Sequence, residues 1–208
     1  MKGSLIVVGF FALGCLIGWG KLVPDSLISG NLTMYVLYFL MFQVGISIGC
    51  DKKLKDILCS IRPKLLLVPL ATIIGTLIFS ALVSLLLTQW SVFDCLAIGS
   101  GFAYYSLSSI LITQLKEPTL GVQLATELGT IALMANIIRE IFALLGAPLF
   151  VKYFGRLAPI CAGGATTMDT TLPIITRYSG KDLVFVSIFH GILVDFTVPF
   201  FVSFFCSL

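Results

Sequence analysis

"CAGGATTMDTTLP", residues 161–173, is a polar island in an apolar chain. It holds two adjacent glycines, four threonines, one aspartate and a closing proline. Gly163 and Gly164 weaken a helix, and Pro173 withholds a backbone donor from the preceding turn. Thr166, Thr167, Thr170 and Thr171 are suited to capping the backbone groups that such an interruption frees. At membrane depth, unwound backbone is tolerated only where protein or a water-filled cavity satisfies it. A helix broken there presents free carbonyls on one side and free N–H groups on the other, which suits a zwitterion. Asp169 supplies a carboxylate for an ammonium group or a proton. The alternative is a structural kink at a loop, with Asp169 in solvent.

The surroundings place this stretch in a membrane. The 208 residues are 58% hydrophobic and 11% charged, with a mean hydropathy of +1.08. A soluble domain carries about 25% charge. Apolar runs of roughly 20 residues recur along the length, as in a polytopic helical membrane protein. They are continuously apolar and do not alternate with period two, which argues against a β-barrel. No polar stretch is long enough for a soluble catalytic domain. The net charge of +3 fits membrane topology and gives no sign of a nucleic-acid partner. Six cysteines, at 15, 50, 59, 95, 161 and 206, stand singly without CxxC spacing, and there is one histidine. Small apolar filler is the simpler role for these thiols, and neither a metal nor a cofactor is expected.

Seven hydrophobic segments are expected, at 4–23, 31–50, 64–88, 92–114, 120–150, 157–176 and 182–206, forming one integral membrane domain over 1–208. The opening "MKGSLIVVGFFALGCLIG" has no AxA cleavage site and reads as an uncleaved first helix. Its Gly14 and Gly18 form a GxxxG contact motif, common by chance in membrane helices. The connection 51–64, "DKKLKDILCSIRPK", carries Lys52, Lys53, Lys55, Arg62 and Lys64 against Asp51 and Asp56. The positive-inside rule makes it cytoplasmic. Counting crossings then puts the N-terminus in the cytoplasm and the C-terminus outside. That scheme leaves Lys152 and Arg156 outside; a re-entrant 157–176 would instead bring the C-terminus inside.

Further polar residues break the apolar pattern. In "GSGFAYYSLSS", 99–109, Gly99 and Gly101 loosen the helix, and Tyr104, Tyr105, Ser106, Ser108 and Ser109 add hydroxyls. This is either a close helix contact or a face on a cavity. Segment 120–150 contains Glu127, Asn136, Arg139 and Glu140, each costly in mid-membrane. Asn136 and Glu140 share a face, whereas Arg139 and Glu140 diverge by about 100°. Each therefore reaches another helix or a ligand, unless "NIIRE" snorkels at the interface. The segment is long enough to tilt or break near Gly146 and Pro148. In the last segment His190 is either a packed, hydrogen-bonded residue or a proton relay. Asp195 lies about 140° around the helix from it, with no evident role. An intramembrane hydrolase would need Ser106 or Ser108 with His190, and neither GxSxG nor HExxH is present.

"SGFAYYSLSSILIT" (100–113), "NIIRE" (136–140), "GGATTMDTTLP" (163–173) and "HGILVDFTVP" (190–199) together resemble the LysO-type lysine exporter family of bacteria. The resemblance extends over all seven segments. It implies an inner-membrane protein that exports L-lysine and the toxic analogue thialysine, with protons as the exchanged species. It places the family's intramembrane aspartate on Asp169, its Asn-x-x-Arg-Glu motif on Asn136, Arg139 and Glu140, and its His-Gly on His190 and Gly191. Longer family members begin with additional spans containing a second copy of the "MFQVGISIG" pattern found here at 41–49. The implied partner is a small separate membrane protein supplying those spans, or a second copy of this chain.

The resulting expectation is an all-α, polytopic secondary transporter with a discontinuous helix at 157–176, part of an inverted-repeat architecture. Its substrate- or proton-binding candidates are Asp169, Thr166, Thr167, Glu140, Arg139, Asn136, Glu127, His190, Tyr105, Ser106 and Ser108. Gly163, Gly164 and Pro173 form the expected helix break. A channel-like pore subunit, or an exporter of another cationic amino acid or amine, is the alternative.

Overall fold

The computed structural model describes residues 63–208, with isolated positions Ile17, Gly20, Tyr35, Phe39, Phe42 and Ile46 before them. The segments expected at 4–23 and 31–50, with their GxxxG motif, and the connection 51–62 lie outside the described residues, those single positions excepted. The chain divides into two compact units, Met1–Lys55 and Asp56–Leu208. Every element below belongs to the second.

The described residues are helical, without strands. A 3-10 turn at Pro63–Leu66 leads into α1, Leu67–Ser84. Pro69 sits in its first turn, where a missing N–H costs nothing. Leu67, Leu70, Ile74, Ile78 and Leu82, spaced three or four apart, form an exposed apolar face, as a lipid-facing helix requires. Then come α2 (Val92–Gly99), a run of helix α3 (Tyr105–Phe154), α4 (Ala158–Gly163), α5 (Leu172–Ser179) and α6 (Val184–Cys206). Among the described residues, three helices are long and apolar enough to cross a membrane: α1, α3, and the run Lys181–Cys206 that contains α6.

The run α3 is not one rod. Gly121 has φ +80 and ψ +162, outside the helical region. A side chain at Gly129 would collide with Thr113 and approach the Ser109 carbonyl to 2.9 Å. Ser109 and Gly129 would stand about 30 Å apart on a straight helix. The limbs 105–120 and 122–154 therefore run antiparallel, and the bare Gly129 lets them close up. On the second limb Ala125, Leu128, Ala132, Asn136, Ala143 and Ala147 make the buried stripe at helical spacing.

Segment 92–114, expected as one span, is interrupted. Ser91 caps α2 in a reciprocal box with Asp94. Helix stops after Gly99, and Phe102 (φ 44) and Ala103 (φ 74) hold left-handed backbone before α3 begins. The chain then folds back, because Lys116 Nζ lies 3.0 Å from Asp94 Oδ1. In a continuous helix those residues would be about 33 Å apart. The pair is buried at the base of a helical hairpin, α2 and the first limb of α3, with residues 100–104 at its tip.

The region 156–180 repeats the design from the other end. Helix α4 stops at Gly163, a 3-10 turn runs Gly164–Met168, and α5 starts at Leu172 with Pro173 in its first turn. Pro173 thus initiates a helix rather than kinking one. Arg156 Nε donates to the Ser179 carbonyl at 2.6 Å, and its guanidinium pairs with Asp182. Residues so far apart in sequence meet only if this segment also folds back.

Helix α6 orders the two hairpins. The second has its base beside the start of α6, through Asp182 and Val184. The first has its base beside the end of α6, where Cys206 lies within Coulombic reach of Lys116 and Asp94. The hairpins therefore enter from opposite ends of a helix about 35 Å long.

Candidate functional site

The two tips meet. The Ala165 N–H donates to the Phe102 carbonyl at 2.8 Å, joining one non-helical tip to the other. Gly164 makes this contact possible. Its φ is +61, and a Cβ there would collide with the Phe102 carbonyl oxygen. A broken helix leaves carbonyls without partners, and buried carbonyls must be satisfied.

One turn of α3's second limb satisfies both tips. Asn136 accepts from the Ala103 N–H at 2.8 Å and donates to the Ile98 carbonyl at 3.2 Å and to its own helix at Ala132. Arg139 Nε donates to the Ala162 carbonyl at 3.0 Å, and Nη2 to Cys161 at 3.1 Å, at the C-terminal end of α4. Nη1 reaches Thr76 Oγ1 of α1 at 3.2 Å, and the guanidinium lies 5.9 Å from the Phe102 ring centre. A cation at a helix C-terminus is favoured by the helix dipole. The sequence expectation that Arg139 and Glu140 each reach another helix or a ligand is met for Arg139, which holds the second tip through the end of α4, whereas Glu140 has no side-chain partner among the described residues; Asn136 holds the tip at 100–104.

The threonines of the second tip are turned to backbone and to α6. Thr166 Oγ1 donates to the Gly163 carbonyl at 2.8 Å. Thr167 Oγ1 lies 2.8 Å from the Gly164 carbonyl, 3.0 Å from that of Ser187 and 3.1 Å from His190 Nδ1. Ser187 Oγ returns a bond to the Thr167 carbonyl at 2.9 Å. A side chain on Gly191 would come within 2.7 Å of the Met168 nitrogen, so α6 docks on this tip through bare glycine. His190 is fully buried, with Nε2 2.9 Å from Thr72 Oγ1 of α1. A hydroxyl has a single proton to give. With Thr167 donating to a carbonyl, Nδ1 carries a proton and donates to Thr167. Thr72 then donates either to Nε2 or to the Val68 carbonyl at 3.1 Å.

Asp169 closes the 3-10 turn. It is exposed, and its Oδ1 accepts from the Thr170 N–H at 2.5 Å. Asp195 on α6 is 5% exposed and has no hydrogen-bond partner among the described residues. It lies within Coulombic reach of Asp169, and Tyr104 of the first tip lies within reach of both. Sequence reasoning gave Asp195 no role. The signal was its position one turn beyond Gly191, which puts it on the face that meets the second tip.

Other candidates fall elsewhere. Tyr105 and Ser106 are exposed. Ser108 is buried and bonds back to the Tyr104 carbonyl at 2.8 Å. Both ring nitrogens of His190 face threonines, so the serine–histidine constellation is not assembled. Glu127 is exposed and Glu140 half-buried, and neither joins a tip among the described residues.

A family model described as "Lysine exporter LysO" matches residues 8–206. A Haemophilus influenzae protein provisionally named a lysine exporter is 33% identical over 199 residues, which is 94% of this chain and 94% of that protein. The Escherichia coli lysine exporter LysO is 31% identical over 174 residues, which is 83% of this chain and 54% of that protein. The chain thus spans nearly the whole of one relative and about half of the other. No solved structure matches it.

Proposed function

The chain belongs to the lysine exporter LysO family, and from that premise we propose that it is a secondary transporter exporting L-lysine, and toxic analogues such as thialysine, by proton antiport across the bacterial inner membrane. The observation that carries this reading is the bond between the Phe102 carbonyl and the Ala165 N–H. Two interrupted hairpins from opposite ends meet there, and a chain that binds cargo halfway and opens to each side in turn needs such a junction. The segment 157–176 acts as the discontinuous element. The units 92–154 and 158–206, each a hairpin followed by a long helix limb, point in opposite directions and serve as the inverted pair.

In the cycle, lysine enters from the cytoplasm and its ammonium groups meet Asp169, with its carboxylate towards N–H groups and hydroxyls at the tips. Protonation of Asp169 from outside cancels the attraction and releases the cargo.

The hairpins also support an orientation. With 51–64 cytoplasmic and α1 crossing, the first hairpin opens to the outside. The second limb of α3 then returns to the cytoplasm. Lys152, Arg156, Arg177 and Lys181, around the base of the second hairpin, fall on the cytoplasmic side, as the positive-inside rule asks. The N-terminus is then cytoplasmic and the C-terminus outside. A small membrane partner, or a second copy of the chain, completes the assembly.

The test is counterflow of labelled lysine in vesicles. Wild type exchanges lysine, and Asp169→Asn, still folded, does not. Normal exchange by that variant ends the proposal. Preference for another cationic amine changes the cargo only, and non-saturating flux points to a channel.

A further inference from the structure

We propose that Asp195 is the second carboxylate of the cargo site, paired with Asp169, and that the pair releases one proton for each lysine it takes up. This rests on the export reading above and adds to it a residue and a proton count.

Asp195 lies eleven residues into α6, about 17 Å from its start and so near mid-helix. The tips meet at the same depth. Gly191, one turn earlier, packs against the Met168 backbone, and Asp169 is the next residue in the chain. Asp195 is therefore on the face of α6 that meets this tip. Asp195 is 5% exposed, and its carboxylate lacks a hydrogen-bond donor among the described residues. Asp169, in front of it, is exposed. One carboxylate can thus be reached from solvent while its neighbour is enclosed behind it.

Among the described residues, no cation neutralises Asp195. From the elements packed against α6, the titratable groups that act on it are Asp169 on the second tip and Tyr104 on the first. Arg139 is committed to the carbonyls of α4 and to Thr76. Lys116 is committed to Asp94 at the far end. Arg177 of α5 is exposed at the base of the second hairpin, and α1 carries no charged residue. His190, on α6 itself, points to Thr72 and Thr167.

Asp195 is buried beside a second carboxylate and, among the described residues, has no cation against it; a buried carboxylate so placed favours its protonated form. When an ammonium group of lysine enters, it supplies the positive charge and the proton leaves. The pair goes from one negative charge to two, and the cargo's cation replaces the proton lost. The charge of the site is unchanged by the exchange. The site thereby selects ligands carrying an ammonium group beyond the one their own carboxylate balances.

Isothermal titration of lysine into the purified chain in detergent, in two buffers of different ionisation enthalpy near pH 7, counts the protons. Wild type should release about one proton per lysine. Asp195→Asn should bind lysine more weakly and release none. Asp195→Glu, which keeps the carboxylate, should restore the release; a merely structural role would leave the count unmoved. Size-exclusion profiles establish that both variants are folded, and the glutamate variant carries the test if the asparagine one is not. Lysine binding by wild type without proton release, an unchanged count in Asp195→Asn, or no release by Asp195→Glu overturns the inference alone. Absence of lysine binding by wild type removes the export reading and this inference with it.

Discussion

Replacing Arg139 with glutamine should open the second tip without unfolding the chain. The guanidinium makes three hydrogen bonds, to the carbonyls of Ala162 (3.0 Å) and Cys161 (3.1 Å) and to Thr76 Oγ1 (3.2 Å). Glutamine is shorter and cannot fork across two successive carbonyls. Two carbonyls then lose a charged donor, at about 1.5 kcal/mol each, so the local cost is about 3 kcal/mol. Loss of a cation from the C-terminus of α4 adds about 0.5 kcal/mol. Local opening of the tip should therefore become roughly 300-fold more frequent. Hydrogen exchange by mass spectrometry reads this directly. Peptides from 158–171 should exchange faster by about that factor, while those from α1 keep their protection. Arg139→Lys, which can bond one carbonyl, should fall between. Unchanged exchange at 158–171 would refute the capping argument. An equal rise everywhere would show that Arg139 supports the whole bundle instead.

Three other outcomes are expected. Gly164→Ala should abolish transport, since its Cβ strikes the Phe102 carbonyl. Gly155→Ala, also at positive φ (+91) but facing open space, should lose about 2 kcal/mol of stability from backbone strain and keep transport; equal defects would discount the tip contact. In a background without native cysteines, Lys152→Cys should react with an impermeant maleimide only after the cells are opened, and Leu208→Cys in intact spheroplasts, the reverse pattern inverting the proposed orientation. Ser108→Ala should transport within about twofold of wild type, because its hydroxyl only bonds back to its own helix; a complete loss would restore a chemical role for that serine.

Much of this molecule was legible in its sequence. Hydropathy alone marks the chain as helical and membrane-embedded, and the double glycine marks the end of α4. The costs of burying Asn136 and Arg139 required partners, and these proved to be mainly backbone, with Thr76 Oγ1 besides. The hairpins were not legible. Each is about as long and apolar as a membrane span, and hydropathy does not record direction. The fold-back is set by long-range pairs, Lys116 with Asp94 and Arg156 with Ser179, that no local pattern encodes. The first tip was hidden for another reason. Its left-handed residues are Phe102 and Ala103, where a glycine would be the usual sign. Asp195 had no legible role because its neighbour, Asp169, is distant in sequence and met only through the docking of α6.

The central claim is that this chain moves lysine against protons through the junction of the two tips. Inside-out vesicles containing the purified chain, given an acidic interior, test it most directly. The account predicts saturable uptake of labelled lysine that stops when the pH gradient is collapsed and is absent with Asp169→Asn. Uptake that rises linearly with lysine, or that ignores the gradient, would contradict it.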